Sequence, residues 1–184
     1  MIRFFVALVI LIFASFLFQR FLPPILLLKG APILVVPAIF FYGCLAFPFP
    51  LVLALTFVTG VLHDLFVVPQ VVPHTDFPVG TSILIYLIPG LVMHGTRFLF
   101  LRYRWQTHFL LAEIASALTP FLLLAQYAVL SFERRELFFN DVILWRIFGP
   151  GLISIVIAPC VFFILTPLSH LLQYRPGLSG DAAA

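Results

Sequence analysis

Polar side chains are so sparse along this chain that its apolar stretches are defined by their interruptions. Continuous apolar runs cover residues 3 to 20, 31 to 47, 51 to 68, 79 to 95, 107 to 130 and 147 to 170, with proline-rich or charged segments between them. The runs do not alternate apolar and polar side chains, as a barrel strand between lipid and lumen would. Each instead approaches the roughly 20 apolar residues that a helix needs to cross a bilayer, and a helix satisfies its own backbone groups where water is absent. The pattern predicts an all-α integral membrane protein, a bundle of about six transmembrane helices forming a single domain over residues 1–184. Between the second and third runs, the prolines of "AFPFPL" end one helix and start the next, which makes this the tightest turn expected.

Composition sharpens the class. With 63% hydrophobic residues, 9% charged residues and a mean hydropathy of +1.19, the chain lies far outside the range of water-soluble domains, and no room is left for a soluble domain. The opening "MIRFFVALVILIFASFLFQRF" carries the charge and apolar core of a signal peptide but no convincing A-x-A cleavage site, and reads as a retained first span. Cys44 and Cys160 lie within apolar runs without ligand partners at useful spacing, which implies neither a disulfide framework nor a zinc site. The net charge of +3 fits loop arginines at a membrane surface better than nucleic-acid binding.

Orientation rests on lysine and arginine. With the N-terminus inside, Arg3, Arg97, Arg102, Arg104 and Arg175 face the cytoplasm, against Arg20, Lys29, Arg134, Arg135 and Arg146 outside, so the count is tied. The arginines of "TRFLFLRYRWQ" are undiluted by acid, whereas "SFERRELFFNDVILWR" carries Glu133, Glu136 and Asp141. On that difference both termini are expected in the cytoplasm, with Tyr103, Trp105 and Trp145 at the interfaces.

Candidate chemistry is confined to a few intramembrane polar residues. Thr56, Gly60 and Asp64 share one helical face at i, i+4 and i+8, a small and polar face on which neighbouring helices can approach closely. An acid turned to lipid at mid-depth would cost about 2.5 to 3.5 kcal/mol on insertion scales, so Asp64 is expected to face protein, as a structural anchor or cap or as a contact for a partner or ligand. Gly80 is placed at the start of the fourth span, close against the third. In that span Tyr86, Gly90 and His94 repeat the i, i+4, i+8 spacing, and Glu113 in the fifth could pair with His94, His108 or Arg97 to fix helix register. His63, Asp64, His74 and Asp76 suggest a metal set, but their spacing fits no ligand motif and H-E-x-x-H is absent, so no metal is expected. Ser82, Ser116 and Ser154 lack a nucleophile context, and no phosphate loop is present. Neither catalytic residues nor a cofactor is expected, and an enzyme is the least supported class.

Taken in order, the proline-interrupted "LLLKGAPILVV", the turn "LAFPFPL", "GVLHDLF" and "VGTSILIYLI" resemble MreD, the rod-shape-determining membrane protein family of bacteria. In that family the third span ends in a G-x-x-x-D stretch, followed by a Leu-Gly pair and a fourth span. Gly60 and Asp64 match the first element and Gly80 the second, with Val79 in place of leucine, over roughly residues 15 to 130. A departure is the stretch between Asp64 and Gly80, which is longer and richer in proline than the family's usual few residues. The resemblance implies a non-enzymatic scaffold or adaptor of the cell-elongation machinery in the bacterial cytoplasmic membrane. Its partners would be MreC-like and MreB-like proteins and, through them, RodA and a transpeptidase that build lateral peptidoglycan. The basic loop Arg97, Arg102 and Arg104 would then lie within reach of anionic membrane lipid or a cytoplasmic partner.

The alternative reading is the substrate-binding subunit of a small-molecule, vitamin-type transporter, which is also a six-helix protein of this size. That function needs convergent polar groups and a small-residue stripe for a coupling partner. Polar side chains in the spans are scarce, and Ala7 and Ala14 are seven residues apart, which makes no such stripe in the first span.

Overall fold

The computed structural model describes residues 2–25, 28–66, 80–100, 105–134 and 140–172. Seven helices follow one another there: α1 (Ile2–Gln19), α2 (Val36–Ala46), α3 (Phe49–Phe66), α4 (Thr81–Gly95), α5 (Arg97–Phe100), α6 (Trp105–Arg134) and α7 (Asp141–Leu171). Each of the six apolar runs becomes a helix, α5 adds a single turn, and the described residues contain no strand beyond an isolated bridge from Ile25 to Ala31. Four helices, α1, α3, α6 and α7, are long and apolar enough to cross a membrane, while α2 and α4 are shorter. Large apolar side chains such as Ile10, Ile88, Val156 and Ile164 point outward more than 60% exposed. In water that would be an aggregation surface; on a membrane bundle it is the lipid face.

The second run departs from its expected bounds. The helix begins at Val36 rather than at residue 31, with Pro37 in its first turn. There the missing N–H of Pro37 costs nothing, whereas a helix continued upstream would lose a bond to it and clash with its ring. At 1.5 Å per residue, the 11 residues of α2 reach only about 16 Å. Every one of them is buried, and α2 touches every other helix. A helix apolar all round belongs in the middle of a bundle.

Aromatic packing fixes α2 from several sides. Phe4 of α1 meets Tyr42 and Phe47 with ring centroids 6.5 and 5.5 Å apart, and Phe162 of α7 meets Tyr42 edge-on at 5.3 Å. With its amide turned to satisfy its bonds, Gln19 accepts from the backbone N–H groups of Val35 (2.5 Å) and Val36 (2.9 Å). The end of α1 thus caps the start of α2, where no side chain of α2's own does so. At the same end, Arg20 donates from Nη2 to the carbonyl of Phe66 (3.0 Å), and its guanidinium lies over that ring. The ends of α1 and α3 are thereby tied together.

The last two helices exceed the expected runs of 107 to 130 and 147 to 170. At about 45 Å each, they outreach a hydrocarbon core of about 30 Å, so polar ends such as Asp141 extend past the apolar zone that the sequence marks. The two helices approach closely where Gly151, midway along the paired length of α7, meets Pro120 in the middle of α6. A Cβ at Gly151 would collide with the Pro120 ring, whereas one at Gly95 would meet nothing within 4 Å. Gly151→Val is therefore expected to cost about 1 to 3 kcal/mol through overpacking and to lower the thermal midpoint of the detergent-solubilised protein. Gly95→Ala serves as the control and should leave that midpoint in place.

Candidate functional site

The third and fourth helices meet through their backbones. Gly60 sits on the buried face of α3, and a Cβ there would lie 2.6 Å from the Cα of Ile83 in α4. Only glycine permits that approach. Thr56, Thr59, His63 and Asp64 share this face with Gly60, all of them buried, and Thr56 turns its hydroxyl back to the carbonyl of Val52 (2.8 Å).

Asp64 lies in the last turn of α3, where the helix dipole disfavours an anion. Its Oδ2 accepts from the backbone N–H of Gly80 at 2.6 Å, at the start of α4, where the dipole favours one. Gly80 has φ +112, a left-handed conformation that L side chains rarely adopt. The two residues therefore form one junction: glycine supplies the backbone geometry and aspartate the acceptor. The other oxygen, Oδ1, is buried without a hydrogen-bond partner among the described residues, as is the hydroxyl of Thr59.

Beside Asp64, His63 links three helices. Its Nδ1 lies 3.0 Å from Ser82 Oγ of α4, and its Nε2 lies 3.0 Å from Gln126 Nε2 of α6. With the Gln126 amide donating, the ring is the Nδ1–H tautomer and donates to Ser82. Rings enclose it: Phe16 of α1 at 6.1 Å and Tyr86 of α4 at 5.5 Å. Both ring nitrogens are engaged within the chain, so this histidine is occupied as helix glue.

The Tyr86, Gly90 and His94 stripe packs against α2 along its length. Tyr86 meets Phe40 edge-on at 5.2 Å, a Cβ on Gly90 would press on the Phe40 ring and the Cys44 sulfur, and His94 Nδ1 lies 2.8 Å from the carbonyl oxygen of Cys44. His94 is thus spent on backbone. Glu113 meets neither it nor Arg97 nor His108 in an ion pair among the described residues, and its buried Oε1 has no hydrogen-bond partner. His74, Asp76, Arg102, Tyr103 and Arg104 lie outside the described residues. Among the described residues, no group of three histidines, cysteines or acids could hold a metal ion.

Sequence reasoning passed over Gln126 and gave His63 and Ser82 no role together. The available signal was a lone carboxamide in "FLLLAQYAVL", since an amide within a span needs a partner. The chain matches no known protein family, no curated protein and no solved structure.

These contacts set an order of expected losses. Gly80→Ala should cost about 1 to 2 kcal/mol, the penalty of a left-handed L residue. His63→Leu strands Ser82 and Gln126 and should cost about 1 to 3 kcal/mol, given about 0.6 and at most 1.7 kcal/mol per interhelical hydrogen bond in lipid. Asp64→Asn retains an acceptor for Gly80 and should lose clearly less than Asp64→Leu. Thermal unfolding of the four variants in one detergent checks the order, and equal losses for the two Asp64 variants would assign the effect to charge rather than to the backbone bond.

Proposed function

We propose that this protein is a non-enzymatic membrane scaffold of the bacterial cell-elongation machinery, of the MreD type, seated in the cytoplasmic membrane with both termini in the cytoplasm. One observation carries the reading. Gly60 and Asp64 on α3 and Gly80, sixteen residues beyond Asp64 at the start of α4, are the residues on which the resemblance rests, and they belong to a single α3–α4 junction in which Asp64 accepts from Gly80 and Gly60 lies against Ile83. A motif whose members depend on one another physically is better support than the same letters scattered over a bundle.

The polar residues of the spans also fit a scaffold. His63 is bonded on both nitrogens and His94 is turned to backbone, an economy suited to holding helix faces in register for partners. On this reading those partners are MreC-like and MreB-like proteins, with RodA and a transpeptidase beyond them, and the basic segment that begins at Arg97 faces the cytoplasm.

Crosslinking of the tagged protein in cells, followed by mass spectrometry, tests the assignment. Recovery of an MreC-like protein, RodA or a transpeptidase is the expected result, and recovery of an ATPase with its membrane coupling subunit would replace the scaffold with a transporter subunit. Orientation is tested separately by a cysteine at position 102, which should resist membrane-impermeant thiol reagents in intact cells. Ready labelling there would invert the topology.

A further inference from the structure

At the end of the bundle remote from Asp64, two side chains of opposite charge have no hydrogen-bond or ion-pair partner among the described residues. Arg97 opens α5 and Glu113 lies on α6. Both are half-buried, the Nε of Arg97 and the Oε1 of Glu113 are buried without a hydrogen-bond partner, and neither residue joins an ion pair among the described residues. Polar groups withdrawn from water without partners are costly, and charges in a membrane ordinarily pair with one another or mark a site.

The helix register brings the two to a common level. His63 holds Ser82 of α4 and Gln126 of α6 side by side, and these helices run antiparallel in contact. About thirteen residues further along each, roughly 20 Å at the helical rise, α4 reaches Gly95 and α6 reaches Glu113. Arg97 follows Gly95 by two residues, on the short helix α5 that itself packs on α6. Flanking them, Phe98, Phe109 and Leu110 are 61, 49 and 50% exposed, an apolar surround that belongs to lipid chains. A cation and an anion are therefore placed at one level of the bundle, beside exposed apolar side chains, with no ion pair between them among the described residues.

A ligand that satisfies both must carry an anion and a hydrogen-bond-donating cation a few ångströms apart, on an apolar body. A guanidinium takes phosphate oxygens in a fork of N–H donors, and a carboxylate takes an ammonium N–H. We propose that Arg97 and Glu113 form a headgroup site for a phospholipid bearing a primary amine, with the phosphate on Arg97 and the ammonium on Glu113. A site for purely anionic lipid would gain nothing from Glu113, and the quaternary ammonium of a choline lipid has no N–H to donate to it. The site is independent of the scaffold reading, because it requires only a membrane around the bundle.

The test is retention of phospholipids by the purified full-length protein, measured by native mass spectrometry after exchange with equimolar phosphatidylethanolamine, phosphatidylcholine and phosphatidylglycerol of matched chains. Phosphatidylethanolamine should be retained about five- to tenfold over phosphatidylcholine, the effect of one charge-assisted hydrogen bond at a half-exposed site. Glu113→Gln should bring phosphatidylethanolamine down to the phosphatidylcholine level and spare phosphatidylglycerol, whereas Arg97→Gln should lower retention of both amine and glycerol lipids. Equal retention of the ethanolamine and choline lipids by the parent protein would overturn the proposal, as would preference for phosphatidylglycerol over phosphatidylethanolamine. Both comparisons use the parent protein and do not depend on how either variant folds.

Discussion

A helix too short to cross the bilayer sits where it touches every other helix, and the rest of the bundle follows from that placement. Because α2 is buried on all sides, the N–H groups at its start have no water to bond, and leaving them unpaired in a membrane would cost several kcal/mol in all. Gln19 closes that end from the neighbouring helix. The cap requires the end of α1 to reach the start of α2, and Arg20, one residue on, then reaches the carbonyl of Phe66. A single buried helix terminus thus sets the mutual position of α1, α2 and α3.

Lipid supplies no hydrophobic drive for helices to associate, so close packing and interhelical hydrogen bonds carry that load. The bundle uses them in separate places. Glycines set the spacing where backbones approach, at Gly60 against Ile83 and at Gly151 against Pro120, while aromatic edges fill the space around α2. Hydrogen bonds fix register: His63 between Ser82 and Gln126, and His94 on the Cys44 carbonyl. These ties enter α4 at its two ends, Ser82 in the first turn and His94 in the last, so this 15-residue helix is held in length as well as in side contact.

The sequence made some of this legible and hid the rest for identifiable reasons. Six apolar runs gave six helices because hydrophobicity at that density has few other outcomes in a bilayer. Their ends were less visible. Pro37 delays α2 by a turn's worth of residues, and helix formation in α6 and α7 continues past the apolar zone, since a helix does not stop where its side chains turn polar. The small polar face of Thr56, Gly60 and Asp64 could be read from spacing alone, because residues four apart on a helix must share a side. The sequence also places Gly80 close against the third span, but neither its bond to Asp64 nor the tie from His63 to Gln126 can be read from it. Gly80 lies sixteen residues from Asp64 and Gln126 sixty-three from His63, and nothing local to either residue names the other. The Tyr86, Gly90 and His94 stripe shows the same division: its periodicity is written in α4, but the surface that receives it is α2.

Asp64 illustrates why an acid is kept where an amide could also accept one hydrogen bond. The last turn of α3 already concentrates unpaired carbonyl oxygens, and an anion there is repelled by its own helix. Against this stands the start of α4, whose N–H groups present the opposite partial charge across a distance that Gly60 makes short. Only an anion exploits that field in full, and its benefit falls away within about a turn of the helix end. The close approach at Gly60, the left-handed backbone at Gly80 and the charge on Asp64 are therefore three requirements of one electrostatic contact. Relaxing any of them weakens the case for the other two, which is the physical reason they occur together in this chain.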